Sequence, residues 1–174
     1  GYSAVSKYLA EAMQNIFSLK EVMVIPNVVD STVFYPSLVK PDNFRFIHIS
    51  TLKFQKNVEQ ILEATAILKK KLPAFSLLIF GEPTNELRVL THILNIQDQI
   101  EFRGTCPQEE LRPHIQKSKA LILYSRFETF GCVIIEANAC GKPVIVSDIP
   151  VFRENVKNGI NGIFVPLNDP AKLA

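Results

Sequence analysis

The stretch "SRFETFGCVIIEANACGKPVIVSD" (125–148) indicates the fold of this chain and contains charged residues in an apolar setting that call for a functional explanation. It follows a nearly continuous apolar run (119–125), which is typical of a strand buried on both faces of a parallel sheet. Its middle has a helical pattern and its last residues (143–148) predict a second strand, so the stretch predicts a β-α-β unit. Two glutamates, Glu128 and Glu136, lie in these apolar surroundings, where an unpaired buried charge is costly.

Strand-like and helix-like patterns alternate on both sides of this unit, from residue 44 onward. Further strands are predicted at 44–50, 75–81, 100–104 and 162–166. Helices are predicted at 57–70, 85–94, 107–118 and 131–140, and Asn57 with Gln60 predicts a capping box at the start of the first. This alternation predicts an α/β fold with a Rossmann-like, doubly wound parallel sheet.

The N-terminal residues have a different pattern, with an amphipathic helix at 3–17 and a strand followed by a turn at 21–30. We assign residues 1–36 to the end of a preceding N-terminal domain and the connection from it. Residues 37–174 are then a ligand-binding Rossmann-like domain. The final "DPAKLA" has the pattern of a helix that has barely begun, so we expect this domain to be truncated at its C-terminal end.

The composition excludes several classes of protein. A length of 174 residues suits one domain or slightly more, and a formal net charge of only +2 argues against a nucleic-acid binder with a broad basic surface. The three cysteines lack the spacing of a zinc site, which indicates a reducing, cytoplasmic setting by default. We find no apolar run as long as a membrane span and no signal peptide, which agrees with this expectation. His48, His92 and His114 lack the spacing of metal ligands, so we expect them to be structural or surface residues.

A ligand is expected where the strand order of such a sheet reverses, at the carboxyl ends of the strands. With the order 3-2-1-4-5, the loops that meet there are "TLKFQKN" (51–57) and "RFETFG" (126–131). The sequence contains neither the glycine pattern of a dinucleotide site nor that of a P-loop. It therefore argues against a dinucleotide-binding protein and against a P-loop nucleotidase. The first loop supplies Lys53 and Lys56 instead.

The second loop leads into a helix whose first N–H groups, near Phe130, Gly131 and Cys132, would form an anion site. Facing a lysine, this helix terminus makes a suitable cradle for a diphosphate. Carboxylates beside it suit vicinal hydroxyls, so Glu128 and Glu136 predict a sugar on each side of the diphosphate, as in a nucleotide sugar. The competing interpretation is that Glu136 faces solvent and Glu128 is an ordinary loop carboxylate.

These motifs resemble retaining glycosyltransferases of the GT-B fold, family 4 (glycosyl transferases group 1). The resemblance rests on a glutamate followed eight positions later by a second one, here Glu128 and Glu136, and then "EANACGKPVIVS". "VIPNVVDSTVFYP" (24–36) and "VKNGINGIFVPLNDP" (156–170) are similar to two further family segments. The resemblance implies that this chain is the C-terminal half of a GT-B fold, in which residues 37–174 form the nucleotide-sugar-binding domain.

By this resemblance, Glu128 and Lys56 are the catalytic residues. Glu136 would hold the ribose hydroxyls, Glu128 the hydroxyls of the donor sugar, and Lys56 the diphosphate. The implied donor-binding residues are Thr51, Lys53, Arg103, Gly104, Thr129, Phe130, Gly131, Cys132 and Glu136. Thr51 departs from the family, which usually has arginine there, and Lys53 is a candidate substitute.

The implied function is the transfer of a hexose from a UDP- or GDP-sugar to a glycan, lipid or small-molecule acceptor. The resemblance further implies retention of configuration, no metal, no cofactor besides the nucleotide-sugar substrate, and a role in polysaccharide biosynthesis. The acceptor would bind through an absent N-terminal domain, so we expect no transfer by this chain alone. The resemblance is also compatible with peripheral association of the full-length protein with the inner face of a membrane. Alternatives are a non-catalytic module that binds a nucleotide sugar, and a phosphorylase or epimerase of GT-B type.

Overall fold

The computed structural model describes residues 1–38, 40–42 and 44–174. In these residues the strands are β1 (Ser3–Ala4), β2 (Met23–Val24), β3 (Arg45–Ile49), β4 (Ser76–Phe80), β5 (Ile100–Gly104), β6 (Ala120–Leu123), β7 (Val144–Ser147) and β8 (Gly162–Val165). The α-helices are α1 (Lys7–Phe17), α2 (Val58–Lys71), α3 (Asn85–Ile93), α4 (Gln108–Lys117), α5 (Cys132–Ala139) and α6 (Pro170–Leu173). Short 3-10 helices occur at Phe54–Lys56 and Pro150–Glu154.

Six of the strands form one parallel sheet in the order β5-β4-β3-β6-β7-β8. The predicted α/β fold and the predicted order 3-2-1-4-5 are therefore confirmed, with a sixth strand added at the edge. The order reverses between β3 and β6, which are hydrogen-bonded neighbours. The loops that follow these two strands consequently lie side by side.

Alternating side chains of the central strands enter two separate hydrophobic clusters, one on each face of the sheet. On β4, Leu78 and Phe80 belong to one cluster, whereas Leu77 and Ile79 belong to the other. The first cluster also contains core residues of α4 and α5, and the second contains those of α2 and α3. Burial on both faces explains why these strands have nearly continuous apolar sequences.

The predicted capping box at the start of α2 is wrong. Asn57 has a left-handed backbone (φ 55°) and its side chain accepts no hydrogen bond from the helix. Its Nδ2 instead donates to Oε1 of Gln60, at 3.2 Å. A capping box needs an extended backbone at the cap, whereas the 3-10 turn before α2 ends in the left-handed region, which asparagine tolerates better than most residues.

The N-terminal segment packs against the Rossmann-like domain. The carboxylate of Glu154 accepts the first two backbone N–H groups of α1, both at 2.9 Å. Further along, Phe34 is fully buried in the cluster shared with α4 and α5, and Nε2 of Gln116 donates to the carbonyl of Tyr35, at 2.7 Å. The domain boundary at residue 36 stays a prediction. Among the helices of the described residues, none combines the length and apolar character needed to cross a bilayer.

Candidate ligand-binding cleft

A cleft of about 390 Å³ lies at the carboxyl ends of β3, β4, β5 and β6, where the strand order reverses. Its lining comes from the ends of the strands, the loops that follow them, the helices α4 and α5, and one residue of the N-terminal segment. The lining residues are Asn27, Ile49, Ser50, Thr51, Lys56, Phe80, Gly81, Thr105, Cys106, Leu111, Glu128, Thr129, Phe130, Gly131, Cys132 and Val133. The cleft therefore occupies the place that the sheet topology predicts for a ligand.

The structure brings most of the predicted site residues together here, and places four elsewhere. The predicted residues that line the cleft are Thr51, Lys56, Glu128, Thr129, Phe130, Gly131 and Cys132. Lys53 is exposed and lines a separate depression between α2 and α3. Arg103 forms an ion pair with Glu101, at 2.7 Å. Gly104 directly precedes the lining residue Thr105, and its carbonyl accepts a hydrogen bond from the N–H of Gly81, at 2.8 Å. Glu136 lies on α5 and is not among the lining residues.

Lys56 and Glu128 form an ion pair across the cleft, joining the loop after β3 to the loop after β6. Their side chains are only 17% and 11% exposed, and Oγ of Ser125 donates to the same Glu128 oxygen at 3.0 Å. A carboxylate with two donors is held in one orientation, and a partly buried pair is screened less by salt than an exposed one. Glu128 is therefore a partly buried carboxylate held by two donors, and its role as a donor-sugar contact stays a prediction.

The N-terminus of α5 opens onto the same cleft. Gly131 is its N-cap, with a left-handed backbone (φ 85°) and no side chain to cover the free N–H groups of the first turn. A Cβ at this position would lie 2.9 Å from Cε1 of Phe152 and 3.1 Å from Cδ1 of Ile134. Glycine is therefore required both by the backbone conformation and by the packing beneath it.

We expect Gly131→Ala to destabilise the chain by about 1–3 kcal/mol more than Gly159→Ala, because of overpacking against Phe152. Gly159 is a matched control, since it is also left-handed (φ 75°) but a Cβ added there would have no atom within 4 Å. Urea unfolding of the two variants measures the difference. Equal losses of unfolding free energy would show that the space under Gly131 is not limiting.

Glu136 is buried, with 7% of its surface exposed, and Nε2 of Gln108 donates to its Oε1 at 2.8 Å. Burial raises the pKa of this carboxyl above its ordinary value, and the hydrogen bond from Gln108 acts in the opposite direction. Glu136 thus does not face solvent, which removes the competing interpretation of this residue. A buried carboxylate with one neutral donor has the capacity to accept further hydrogen bonds.

His48, fully buried in the central strand β3, shapes the loop that lines the cleft. Its Nδ1 lies 2.9 Å from the carbonyl of Ile122, which can only accept, so Nδ1 carries the proton. Nε2 then accepts from the hydroxyl of Ser50, at 2.7 Å, and Ser50 Oγ accepts from the N–H of Leu52, at 3.0 Å. This relay supports the left-handed backbone of Leu52 (φ 55°) directly after Thr51.

Burial, reinforced by the charge of Lys56, lowers the pKa of His48 to about 4 even though the Ile122 hydrogen bond raises it. A lowered pKa means that the folded chain favours the neutral ring. The stabilisation is present above the unfolded pKa of about 6.5 and is lost as the pH falls through about 4, with a total of about 3 kcal/mol.

We therefore expect the unfolding free energy of the chain to fall between pH 7 and pH 4 more steeply than that of His48→Gln. Urea unfolding at pH 7, 5.5 and 4.5 compares the slopes, with His92→Gln as control because His92 is exposed. If His48→Gln and the wild type lose stability in parallel, His48 is not the buried neutral group described above.

Sequence reasoning missed several lining residues. Ser50, Gly81 and Thr105 directly follow β3, β4 and β5, so the rule that ligands bind at strand ends could have found them. Asn27 had no such signal, because it comes from the N-terminal segment and reaches the cleft through tertiary packing. Its Nδ2 donates to Sγ of Cys132, at 3.3 Å.

Comparison with known proteins identifies the family. Residues 32–174 match the family model of glycosyl transferases group 1, so the chain belongs to this family. An uncharacterized glycosyltransferase of Methanocaldococcus jannaschii is 27% identical over 186 residues, covering 98% of this chain and 48% of that protein. A D-inositol 3-phosphate glycosyltransferase of Streptomyces bingchenggensis is 40% identical over 88 residues, covering 51% of this chain and 19% of that protein.

Solved structures give the same fold. Sucrose-phosphate synthase of Thermosynechococcus elongatus has a TM-score of 0.86 and 25% identity, covering 98% of this chain and 46% of that one. HepE of Anabaena, in complex with UDP and glucose, has a TM-score of 0.83 and 22% identity, covering 99% of this chain and 50% of that one. The predicted Rossmann-like fold of GT-B type is confirmed, and this chain spans about half or less of the length of these proteins.

Proposed function

We propose that this chain is the donor-binding half of a hexosyltransferase that takes a hexose from a nucleoside-diphosphate sugar. The observation that carries the proposal is one cleft lined by a lysine, a helix N-terminus and a carboxylate, at the switch point of the sheet. Membership of the glycosyl transferases group 1 family supports it, as does the complex of HepE with UDP and glucose.

In this proposal the diphosphate binds between Lys56 and the first turn of α5. Backbone N–H groups and an ammonium group stabilise the negative charge that develops on the departing diphosphate, and they need no reorganisation during the reaction. Glu128 accepts hydrogen bonds from hydroxyls of the donor sugar. Lys56 and Glu128 are thus the residues that act on the reacting groups.

Donor binding in this proposal opens the Lys56–Glu128 ion pair. A bound diphosphate offers the ammonium a second anionic partner, and sugar hydroxyls offer the carboxylate new donors. Donor binding therefore replaces an internal pair with two ligand contacts. The pair keeps both side chains ordered until the donor arrives, which reduces the entropy lost on binding.

Glu136 is proposed to accept the ribose hydroxyls. It is five positions beyond the N-cap of α5 and accepts a hydrogen bond from Gln108, the first residue of α4. The raised pKa that burial gives Glu136 also fits a carboxylate that awaits donors. Arg103 and Gly104, at the end of β5, are proposed to lie near the base, with main-chain atoms as the contacts.

Thr51 lines the cleft where the family usually has arginine, and Lys53 lines a different depression. Lys53 is therefore poorly placed to replace that arginine. Among the described residues that line the cleft, Lys56 is the lysine that we propose contacts the diphosphate. We propose weaker diphosphate binding than the motif alone suggests. The same feature is what favours the second candidate, a module that binds a nucleotide sugar without transferring it.

The remaining parts of the proposal concern the full-length protein. The acceptor, a glycan, lipid or small molecule, binds through an N-terminal domain, transfer proceeds with retention and without a metal, and the protein acts in the cytoplasm, with peripheral membrane association for a lipid acceptor. This chain alone binds donor but transfers no sugar. Donor hydrolysis by the full-length protein separates a transferase from a non-catalytic module.

A thermal-shift screen with UDP-, GDP- and ADP-sugars tests the proposal, with chelator present throughout. We expect the unfolding temperature of this chain to rise with one base and not with the corresponding free nucleosides at equal concentration, because binding to the folded state alone stabilises it. The absence of any shift at millimolar concentrations of all three classes would contradict the proposed donor site.

A further inference from the structure

We propose that Arg126 is a positioning residue that clamps together the two loops of the cleft, so that Lys56 and Glu128 meet. The functional meaning of this clamp rests on the proposed donor site, whereas its structural effect can be measured without any ligand. Arg126 lies on the loop after β6, two positions before Glu128. Its partners all lie on the segment that carries Lys56, or at the start of the helix that follows it.

Three side-chain contacts make the clamp. One guanidinium nitrogen donates to the carbonyl of Phe54, at 2.5 Å, and another forms an ion pair with Glu59 in the first turn of α2. The guanidinium also lies over the ring of Phe54, with 4.2 Å from Cζ to the centroid. In addition, the backbone N–H of Arg126 donates to the carbonyl of Gln55, at 2.8 Å.

These contacts fix the 3-10 turn Phe54–Lys56 by its main chain. Phe54 is 71% exposed, so the start of this turn has little apolar packing of its own to hold it. Phe54 and Gln55 are bonded to Arg126 through their carbonyls, and Lys56 is the next residue. The position of the Lys56 backbone relative to Glu128 therefore depends on Arg126. A planar guanidinium is suited to this because it can bond a carbonyl and a carboxylate while stacking on a ring.

Arg126 is not one of the residues that line the cleft, so it would act through Lys56 rather than on the ligand. A second arginine provides a matched control. Arg153 pairs with Asp148 at 2.5 Å and lies over the ring of Phe164 at 5.1 Å, but its side chain is 62% exposed, against 23% for Arg126. Exposed pairs of this kind contribute little to stability.

The first arm of the test is a double-mutant cycle on unfolding temperature, with Lys56→Ala, Glu128→Ala and the double variant. The cycle gives the coupling between the two side chains. It is repeated in backgrounds carrying Arg126→Ala, Arg126→Lys or Arg153→Ala. We expect the coupling to be lost with Arg126→Ala, partly retained with Arg126→Lys and unchanged with Arg153→Ala. Coupling that persists unchanged with Arg126→Ala overturns the proposal, whether or not the chain binds a nucleotide.

The second arm measures affinity for UDP and GDP. We expect Arg126→Ala to lower the affinity for the nucleoside diphosphate about tenfold and to leave the affinity for the nucleoside unchanged. When Lys56 is already alanine, Arg126→Ala should cause no further loss of affinity for the diphosphate. An equal loss in both Lys56 backgrounds would mean that Arg126 does not act through Lys56. Absence of binding by the wild type contradicts the proposed function, and the coupling arm still decides on the clamp. If Arg126→Ala does not fold, Glu59→Gln removes the ion pair alone and is expected to weaken the coupling.

Discussion

Glu136→Ala is expected to lower the affinity of this chain for UDP or GDP by about 5- to 150-fold, the equivalent of 1–3 kcal/mol for a lost acceptor in a dehydrated site. The ribose is common to all such ligands, so the loss should be the same for the bare diphosphate and for the nucleotide sugar. Glu136 is buried and has one neutral donor, Gln108, so its other hydrogen-bonding capacity is available to a diol.

Glu128→Ala is expected to have the opposite profile. Its removal releases Lys56 from the ion pair, so affinity for the bare diphosphate should be unchanged or slightly higher. Affinity for the nucleotide sugar should fall relative to the diphosphate, and transfer by the full-length protein should be lost, because the proposed partner of Glu128 is the sugar.

Titration calorimetry of both variants with the nucleoside diphosphate and the nucleotide sugar measures this difference. Glu63→Ala is a suitable control, since Glu63 is exposed on α2. If the two variants lose the same affinity for the bare diphosphate, the assignment of ribose to Glu136 and hexose to Glu128 is wrong.

Lys56→Ala is expected to reduce affinity for diphosphate-containing ligands by about 10- to 150-fold while leaving the free nucleoside unaffected. One charge-assisted hydrogen bond to phosphate contributes about 1.5–3 kcal/mol. The effect should be large here because Thr51 supplies no charge where the family usually has arginine, so Lys56 carries more of the diphosphate interaction.

Lys53→Ala provides a control from the same loop with the same change in charge. Lys53 lines a different depression, so its loss should alter diphosphate affinity only slightly, through long-range electrostatics that added salt screens. Calorimetry at two salt concentrations separates the two lysines. Equal losses for Lys53→Ala and Lys56→Ala would show that a general positive potential, rather than a contact from Lys56, attracts the diphosphate.

The fold and the position of the cleft could be predicted because they follow from periodic patterns. Apolar runs such as 119–125 predict strands buried on both faces, and the alternation with helices restricts the sheet to few topologies. Once the order 3-2-1-4-5 is assumed, the loops at 51–57 and 126–131 must be neighbours, which placed Lys56, Glu128 and Gly131 in one cleft.

The details of the site could not be predicted, because they depend on local backbone geometry and tertiary contacts. The residue pattern of the first loop does not by itself distinguish Lys53 from Lys56. Lys53 precedes the 3-10 turn Phe54–Lys56 and lines a separate depression, whereas Lys56 ends the turn and lines the cleft. The bond from Gln108 to Glu136 joins residues 28 positions apart on different helices. The capping box failed for a related reason, since the left-handed backbone of Asn57 was not visible in its residue type.

In the proposed function, a nucleoside diphosphate binds at the N-terminus of α5 opposite Lys56. An NMR titration of the ¹⁵N-labelled chain with UDP and GDP in the presence of a chelator tests this binding site. We expect the amide signals of Phe130, Gly131 and Cys132 to shift for at least one of the two nucleotides, and Lys56→Ala to reduce these shifts at equal concentration. Shifts confined to other parts of the chain, or shifts at α5 that appear only when a divalent metal is added, would contradict it.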